Sequence, residues 1–199
     1  MRKILSFFIL FIAIYSHQTK LIAYSSDPKL FISELVEDAL TTLSNKNIDI
    51  KDKHIKIEEI ATENVDIRAL GLYTLGEKRK SLEAEQLNKY QDLFKKYFLK
   101  SLTSRLTDYS DQKFEVLDSD QKSVTYTIVK SKMSGSDQPE INIDWRIYTK
   151  DPNKPLIRDL IVEGLSLART QKEEFASILN SNDNDINALF KTLEEFSKD

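Results

Sequence analysis

Gly164-Leu165-Ser166-Leu167-Ala168 is the stretch of this 199-residue chain whose spacing comes nearest to catalysis. It departs by one residue from the nucleophile elbow Gly-x-Ser-x-Gly, and it stands between a strand-like and a helix-like segment, where an elbow presents its serine. A serine nucleophile needs a base in hydrogen-bond reach. Beyond the N-terminal 23 residues the chain offers one histidine, His54, set in the charged run Lys51-Asp-Lys-His-Ile-Lys56. That is the ordinary setting of a solvent-facing helix residue. The competing reading of Ser166 gives its hydroxyl a backbone partner where the strand turns, and the sequence favours it. A lipid or ester hydrolase using Ser166 and His54 stands as the alternative reading.

Metal chemistry has less to work with. The chain has no Cys, and one His with scattered carboxylates does not build a zinc shell. Asn182-Asp-Asn-Asp185 is acidic but lacks the ligand spacing, the turn Gly and the closing Glu of a calcium loop, so it reads as a helix-capping loop. No glycine-rich phosphate loop is present, and the missing thiols remove cysteine catalysis. No metal or cofactor is expected.

The N-terminus reads as a secretory signal: Met1-Arg2-Lys3, an apolar run from Ile4 to Tyr15 broken by Ser6 alone, then the polar Ser16-His17-Gln18. The run is shorter than the roughly 20 apolar residues a membrane span requires. Cleavage is expected near Ala23, and no Cys follows for lipid anchoring. Residues 1–23 are thus expected to be a signal peptide and 24–199 a single exported domain. Removing Arg2, Lys3 and Lys20 leaves 26 of 29 basic residues against 32 acidic ones, a net charge of about -6. That balance repels nucleic acid and anionic headgroups.

The elements that must position any site follow from periodicity. Asp27-Pro28 starts a helix with Phe31, Leu35, Ala39 and Leu43 at helical spacing. Helical pieces follow at Lys53 to Ala61 and Asp66 to Leu75, the latter ended by Gly76. Ser81 can cap the longest helix, which carries Leu87, Tyr90, Phe94, Phe98, Leu102 and Leu106 to about Tyr109, a rod of about 40 Å. From Lys113 the period becomes two. Phe114 and Val116, then Val124, Tyr126 and Ile128, then Ile141, Ile143, Trp145 and Ile147 mark strands with one buried face, and Leu160 and Val162 a fourth. Ser131 to Gln138 and Asp151-Pro152-Asn153 read as loops. Thr170 with Glu173 predicts a capping box before a helix bearing Phe175, Ile178 and Leu179, and a last helix runs from Asp185 to Phe196. The fold class is α+β: helices, an antiparallel sheet of about four strands, then helices.

Two blocks of this pattern resemble a known family. One runs from Asp159 through Glu163-Gly164-Leu165-Ser166 and Thr170-Gln171-Lys172 to Leu179. The other joins Asp66-Ile-Arg-Ala-Leu-Gly71 and Leu75-Gly76 to Ser81, Glu85-Gln86 and the aromatic helix. Together they resemble MlaC, the toluene-tolerance auxiliary family, the periplasmic phospholipid-binding component of the Mla ABC transport system. Arg79 and Leu102 stand where many relatives have Trp and Tyr.

The resemblance implies a twisted sheet wrapped by helices around a hydrophobic cavity, as in nuclear-transport-factor-like cones. It also implies a monomeric, non-enzymatic periplasmic carrier with phospholipid as cargo, serving outer-membrane lipid asymmetry. Its partners would be an inner-membrane ABC transporter complex and an outer-membrane lipoprotein. On that reading, period and position nominate Tyr90, Phe94 and Phe98 on the long helix, and Tyr126, Ile128, Ile143, Trp145, Ile147, Leu160 and Val162 on the sheet, as lining. Tyr73 is nominated for the mouth, its hydroxyl wet and its ring dry.

Overall fold

The structure, a computed structural model, describes residues 24–105, 112–135 and 139–198. The expected signal peptide, the end of the long helix at 106–109 and the tip of the loop at 136–138 lie outside the described residues. Six α-helices and a five-stranded antiparallel meander, in the order β1 to β5, make up the described chain.

Helix α1 (Pro28–Ser44) begins as its sequence dictates, with the Asp27 carboxylate accepting from the amides of Lys29 and Leu30 and Pro28 in the first turn. Helix α2 (Ile50–Asn64) is longer than expected because Asp49 caps it four residues upstream of Lys53. Helix α3 (Ile67–Thr74) is capped by Asp66 and ends before Gly76, whose φ of 60° permits the turn into a short 3-10 segment, Gly76–Lys80. Arg79 donates from Nη1 to the carbonyls of Leu72 and Gly76, serving the last turn of α3 with its charge.

Helix α4 (Ala84–Arg105) starts three residues after the expected cap: Ser81 donates back to the Lys78 carbonyl, and Gln86 Oε1 accepts from the Glu83 amide at the true start. Helix α5 (Leu167–Asn180) starts earlier than the Thr170 capping box predicts. Ser166 is its N-cap, and Thr170 lies inside the first turns, its hydroxyl bonded to the Ser166 carbonyl. Before helix α6 (Ile186–Lys198), Asp185 accepts from the Asn187 amide, while Asp183 and Asn184 take positive φ. The acidic loop is a helix-capping turn.

In the sheet, β1 (Lys113–Ser123) and β2 (Tyr126–Ser134) form a hairpin whose tip carries Val124, 88% exposed. Val124 was expected to face inward. The polar run from Asp118 to Ser123 hides the strand from an alternation test, yet cross-strand pairing to β2 extends β1 up to the turn. Ser131 belongs to β2, not to a loop, and pairs with Ile143 of β3 (Ile141–Tyr148). Strand β4 (Leu156–Val162) turns through Glu163 and Gly164, at φ of 49° and 81°, into the two-residue β5 (Leu165–Ser166). Consecutive positive φ values suit a two-residue hairpin turn.

Two apolar cores result. Helices α3 to α6 enclose Tyr90, Phe94, Phe175, Leu189 and Leu193, with Phe94 edge-on to Phe175 at 6.2 Å. Beneath α1, Phe31, Ile32 and Leu35 meet Val129, Ile147 and Ile157 of the sheet. Val65 packs against both cores and bridges Ile157. Beside it, Arg158 donates from Nε and Nη2 to the Asp66 carboxylate at 2.8 and 2.6 Å and stacks 3.4 Å above the Tyr148 ring. This latch ties the helical half to the sheet.

Gly71 lets α3 approach α4. A Cβ there would lie 2.8 Å from Phe94 Cδ1 and 3.0 Å from Gln91 Oε1. Gly71→Ala is expected to destabilise by about 1–3 kcal/mol despite alanine's better helix propensity, because the ring it strikes is locked in the core. A thermal melt checks this, and an unchanged or raised Tm would contradict it.

Candidate functional site

Ser166 is engaged on both sides. Its hydroxyl donates to Asp159 Oδ2 at 2.7 Å and accepts from the Arg169 amide at 3.1 Å, while Asp159 Oδ1 accepts from the Ala168 amide at 3.0 Å. The proton that a general base would withdraw is held by a carboxylate that is itself tied to the start of α5. His54 is on α2, in a different part of the chain order, and no bond joins the two. The geometry is that of a helix cap, not of an activated nucleophile. Among the described residues no group of His, Asp and Glu side chains could hold a metal ion, and no helix is long and apolar enough to cross a membrane.

The nominated lining residues fall into three sets. Tyr90 and Phe94 are wholly inside the helical core, and Tyr90 shares a 3.0 Å hydrogen bond with Thr74. Removing a phenol from water disfavours the phenolate, which pushes the Tyr90 hydroxyl well above its usual pKa. Phe98 is half-buried at the edge of that core, stacked on Phe94 at 6.3 Å. Tyr73 is 43% exposed, with the Lys172 ammonium 5.2 Å from its ring centroid.

On the sheet, register separates residues that alternation had grouped. Tyr126 pairs with Tyr148 and Ile128 with Arg146, so both share a face with Asp144 and Arg146, opposite to the face of Ile143, Trp145 and Ile147. The parity of β2 against β3 is set by the intervening loop, which sequence period alone does not determine. Tyr126 donates nothing to an apolar wall: its hydroxyl meets Arg158 Nη1 at 2.7 Å.

The opposite, inner face carries Ile143, Trp145, Ile147, Leu160 and Val162 in adjacent pairs, Trp145 beside Leu160 and Ile143 beside Val162. Phe114, Val116, Val129 and Met133 join them across β1 and β2. Alternation does not nominate Met133, because the polar stretch from Ser131 reads as a loop, whereas β2 runs on to Ser134 and keeps Met133 in parity with Val129. The polar groups on this face satisfy one another: the Trp145 indole donates to Ser131 Oγ at 2.8 Å, and Ser131 donates to the Ile143 carbonyl at 2.9 Å. Apart from Thr127, which pairs with Ile147 toward the hairpin tip, the rest of this face over β2, β3 and β4 is apolar. Ile147 and Val129 are sealed under α1, whereas Ile143, Leu160, Val162 and Met133 are half-buried and, among the described residues, pack against neither core. Helix α4 packs on α2, α3 and α6, and it is α1 that lies across β1 and β2.

Two clefts, of about 330 and 340 Å³, are lined by other residues: one between α1 and the start of β1, the other between α2 and α4.

Residues 33–195 match the family described as MlaC protein. The chain belongs to the MlaC family.

The MlaC match begins inside α1 and ends inside α6, so it takes in the helical core, the whole sheet and all of the core beneath α1 except Phe31 and Ile32. Among solved structures, a phospholipid-binding protein from Ralstonia solanacearum, determined in complex with a phospholipid, superposes with a TM-score of 0.69 at 20% identity. The alignment covers 84% of this chain and 94% of that one. The likeness establishes that the MlaC fold is shared. No curated protein matches the chain.

Proposed function

We propose that this MlaC-family chain is a periplasmic phospholipid carrier that holds acyl chains against the inner face of its sheet and makes or breaks no covalent bond. The observation that carries the reading is the row Ile143, Leu160, Val162 and Met133, apolar, half-buried and outside both cores. Family membership and the phospholipid in the Ralstonia solanacearum relative support it. Each buried methylene is worth about 0.8 kcal/mol, so a diacyl lipid with roughly 30 of them carries on the order of 20 kcal/mol of transfer free energy. A shuttle across an aqueous compartment must therefore line the tails with protein and leave the headgroup toward water.

In this reading residues 1–23 are a cleaved export signal and the mature domain acts as a monomer. It takes lipid between an inner-membrane Mla ABC transporter complex and an outer-membrane lipoprotein, in the service of outer-membrane asymmetry. Cargo passes during docking, with direction set by the relative affinities of the two docked states. The helix-cap role of Ser166 is what a carrier needs from that residue.

Organic extraction of the exported protein followed by mass spectrometry is expected to yield stoichiometric phospholipid. Leu160→Asp, which sets a carboxylate in the apolar row, is expected to lose at least about ten times in bound lipid while keeping the helical circular dichroism signal. A wild-type extract without phospholipid would end the proposal.

A further inference from the structure

The half-buried row on the inner face of the sheet does not end at β4. Val162 pairs with Leu165 as well as with Ile143, so Ile143, Val162 and Leu165 stand side by side on three neighbouring strands with their side chains on one face. The strip they make is about 10 Å wide. Burial falls along it: Ser131, which pairs with Ile143 from β2, is buried, Ile143 and Val162 are half-buried, and Leu165 is 69% exposed. Helix α1 lies across β1 and β2, and α5 starts from the opposite face, where Asp159 holds Ser166 and the Ala168 amide. An isolated exposed leucine is ordinary on a protein surface. Leu165 is set apart by its neighbours and by how it is held. The turn before it is clamped to β3, the Glu163 amide donating to the Asn142 carbonyl at 3.0 Å and the Asn142 amide donating to the Glu163 carboxylate. Ser166, after it, is fixed by Asp159. The backbone therefore holds an apolar side chain in water at the open end of an apolar strip.

We infer that the β4–β5 edge is the portal of the carrier: acyl chains enter and leave the inner face across Leu165, and a bound tail covers that side chain. The inference rests on the carrier reading and deepens it by naming the side from which the tails pass. Each methylene that crosses open water forfeits about 0.8 kcal/mol, whereas one that moves between touching apolar surfaces does not. A strip without a polar break, running from Leu165 to Val162 and Ile143, lowers the barrier to transfer for that reason. The width of the strip selects the occupant. Three side chains fall far short of the roughly 800 Å² that each partner contributes to a standard protein interface. A hydrocarbon tail, a few ångströms across and apolar along its length, matches both the size and the chemistry.

The chain contains no cysteine, so Leu165→Cys provides a single attachment point for an environment-sensitive fluorophore. Delipidated exported protein is loaded from vesicles of phosphatidylethanolamine and phosphatidylglycerol, and bound lipid is measured by extraction. On loading, emission from position 165 is expected to shift to the blue, while the same label on Val124→Cys, at the exposed tip of the β1–β2 hairpin, is expected not to respond. Leu165→Asp places a charge in the path of the tails and is expected to slow uptake by about tenfold, an effect that Val124→Asp does not share. Bound lipid with no response at position 165, an uptake rate indifferent to Leu165→Asp, or a loss shared equally by Val124→Asp overturns the portal and leaves the carrier intact. A response that grows with protein concentration in the absence of lipid overturns it in favour of contact between copies of the chain. Absence of bound lipid in the wild-type protein overturns the carrier reading itself.

Discussion

Phe94→Ala is expected to lower the stability of the domain by about 3–5 kcal/mol, the range for truncating a fully buried aromatic. Phe94 is 1% exposed and touches four aromatic rings: Tyr90, Tyr97, Phe98 and Phe175. Its ring also fills the space that Gly71 leaves open on α3. The residues around the resulting hole are held by several helices at once, so collapse into it is limited and the cavity cost persists. For a domain of this size, each kcal/mol moves Tm by about 2–4 °C, so a fall of roughly 6–20 °C is expected. Urea denaturation of wild type and variant with a common slope measures it, and a loss under about 1 kcal/mol would mean that the α3–α4 contact is not the centre of the helical core.

The second large effect is expected at Asp159, a 7% exposed carboxylate among apolar strand neighbours. It accepts from Ser166 Oγ and the Ala168 amide, and so joins β4, the β5 turn and the start of α5. Asp159→Ala leaves a buried amide without a partner and frees the cap, and hydrogen bonds to a charged group are worth about 1.5–3 kcal/mol each. A loss of about 3 kcal/mol is expected, against about 1 kcal/mol for Ser166→Ala, which removes the cap but spares the Ala168 bond. Because contacting residues do not act independently, the double variant is expected to lose less than the sum of the two. Additive losses would show that the hydroxyl and the carboxylate do not work as one unit. A catalytic Ser166 predicts something different: Ser166→Ala would abolish ester hydrolysis with little effect on folding.

Local chemistry made much of the fold legible. Asp27-Pro28, Asp66 and Gly76 each act on the backbone within a few residues of themselves, so their capping and stopping roles could be read directly. The strands bearing Phe114, Ile143 and Trp145 announced themselves by alternation because one of their faces is dry. Where two caps competed within one turn, sequence chose wrongly. Thr170 with Glu173 satisfies the capping-box pattern, but Ser166 starts α5 because Asp159, distant in chain but adjacent in the sheet, fixes its hydroxyl and the Ala168 amide together. Ser81 is likewise no cap: it closes the 3-10 segment, with its hydroxyl and its amide both donating to the Lys78 carbonyl.

Sequence by itself determined the α+β order of elements, the apolar character of the strands, the anionic balance of the chain and the motif blocks of the MlaC family, since each depends on residue type and near spacing. The tertiary structure alone decided which strand residues share a face. A strand has period two, so a shift of one residue in pairing exchanges its faces without changing its pattern, and Tyr126 and Ile128 parted from Ile143 and Trp145 for that reason. It also decided that Tyr90 and Phe94 fill a solid helical core while Ile143, Leu160 and Val162 do not, because filling depends on what lies opposite a side chain, and nothing in a residue's own neighbourhood along the chain specifies its opposite.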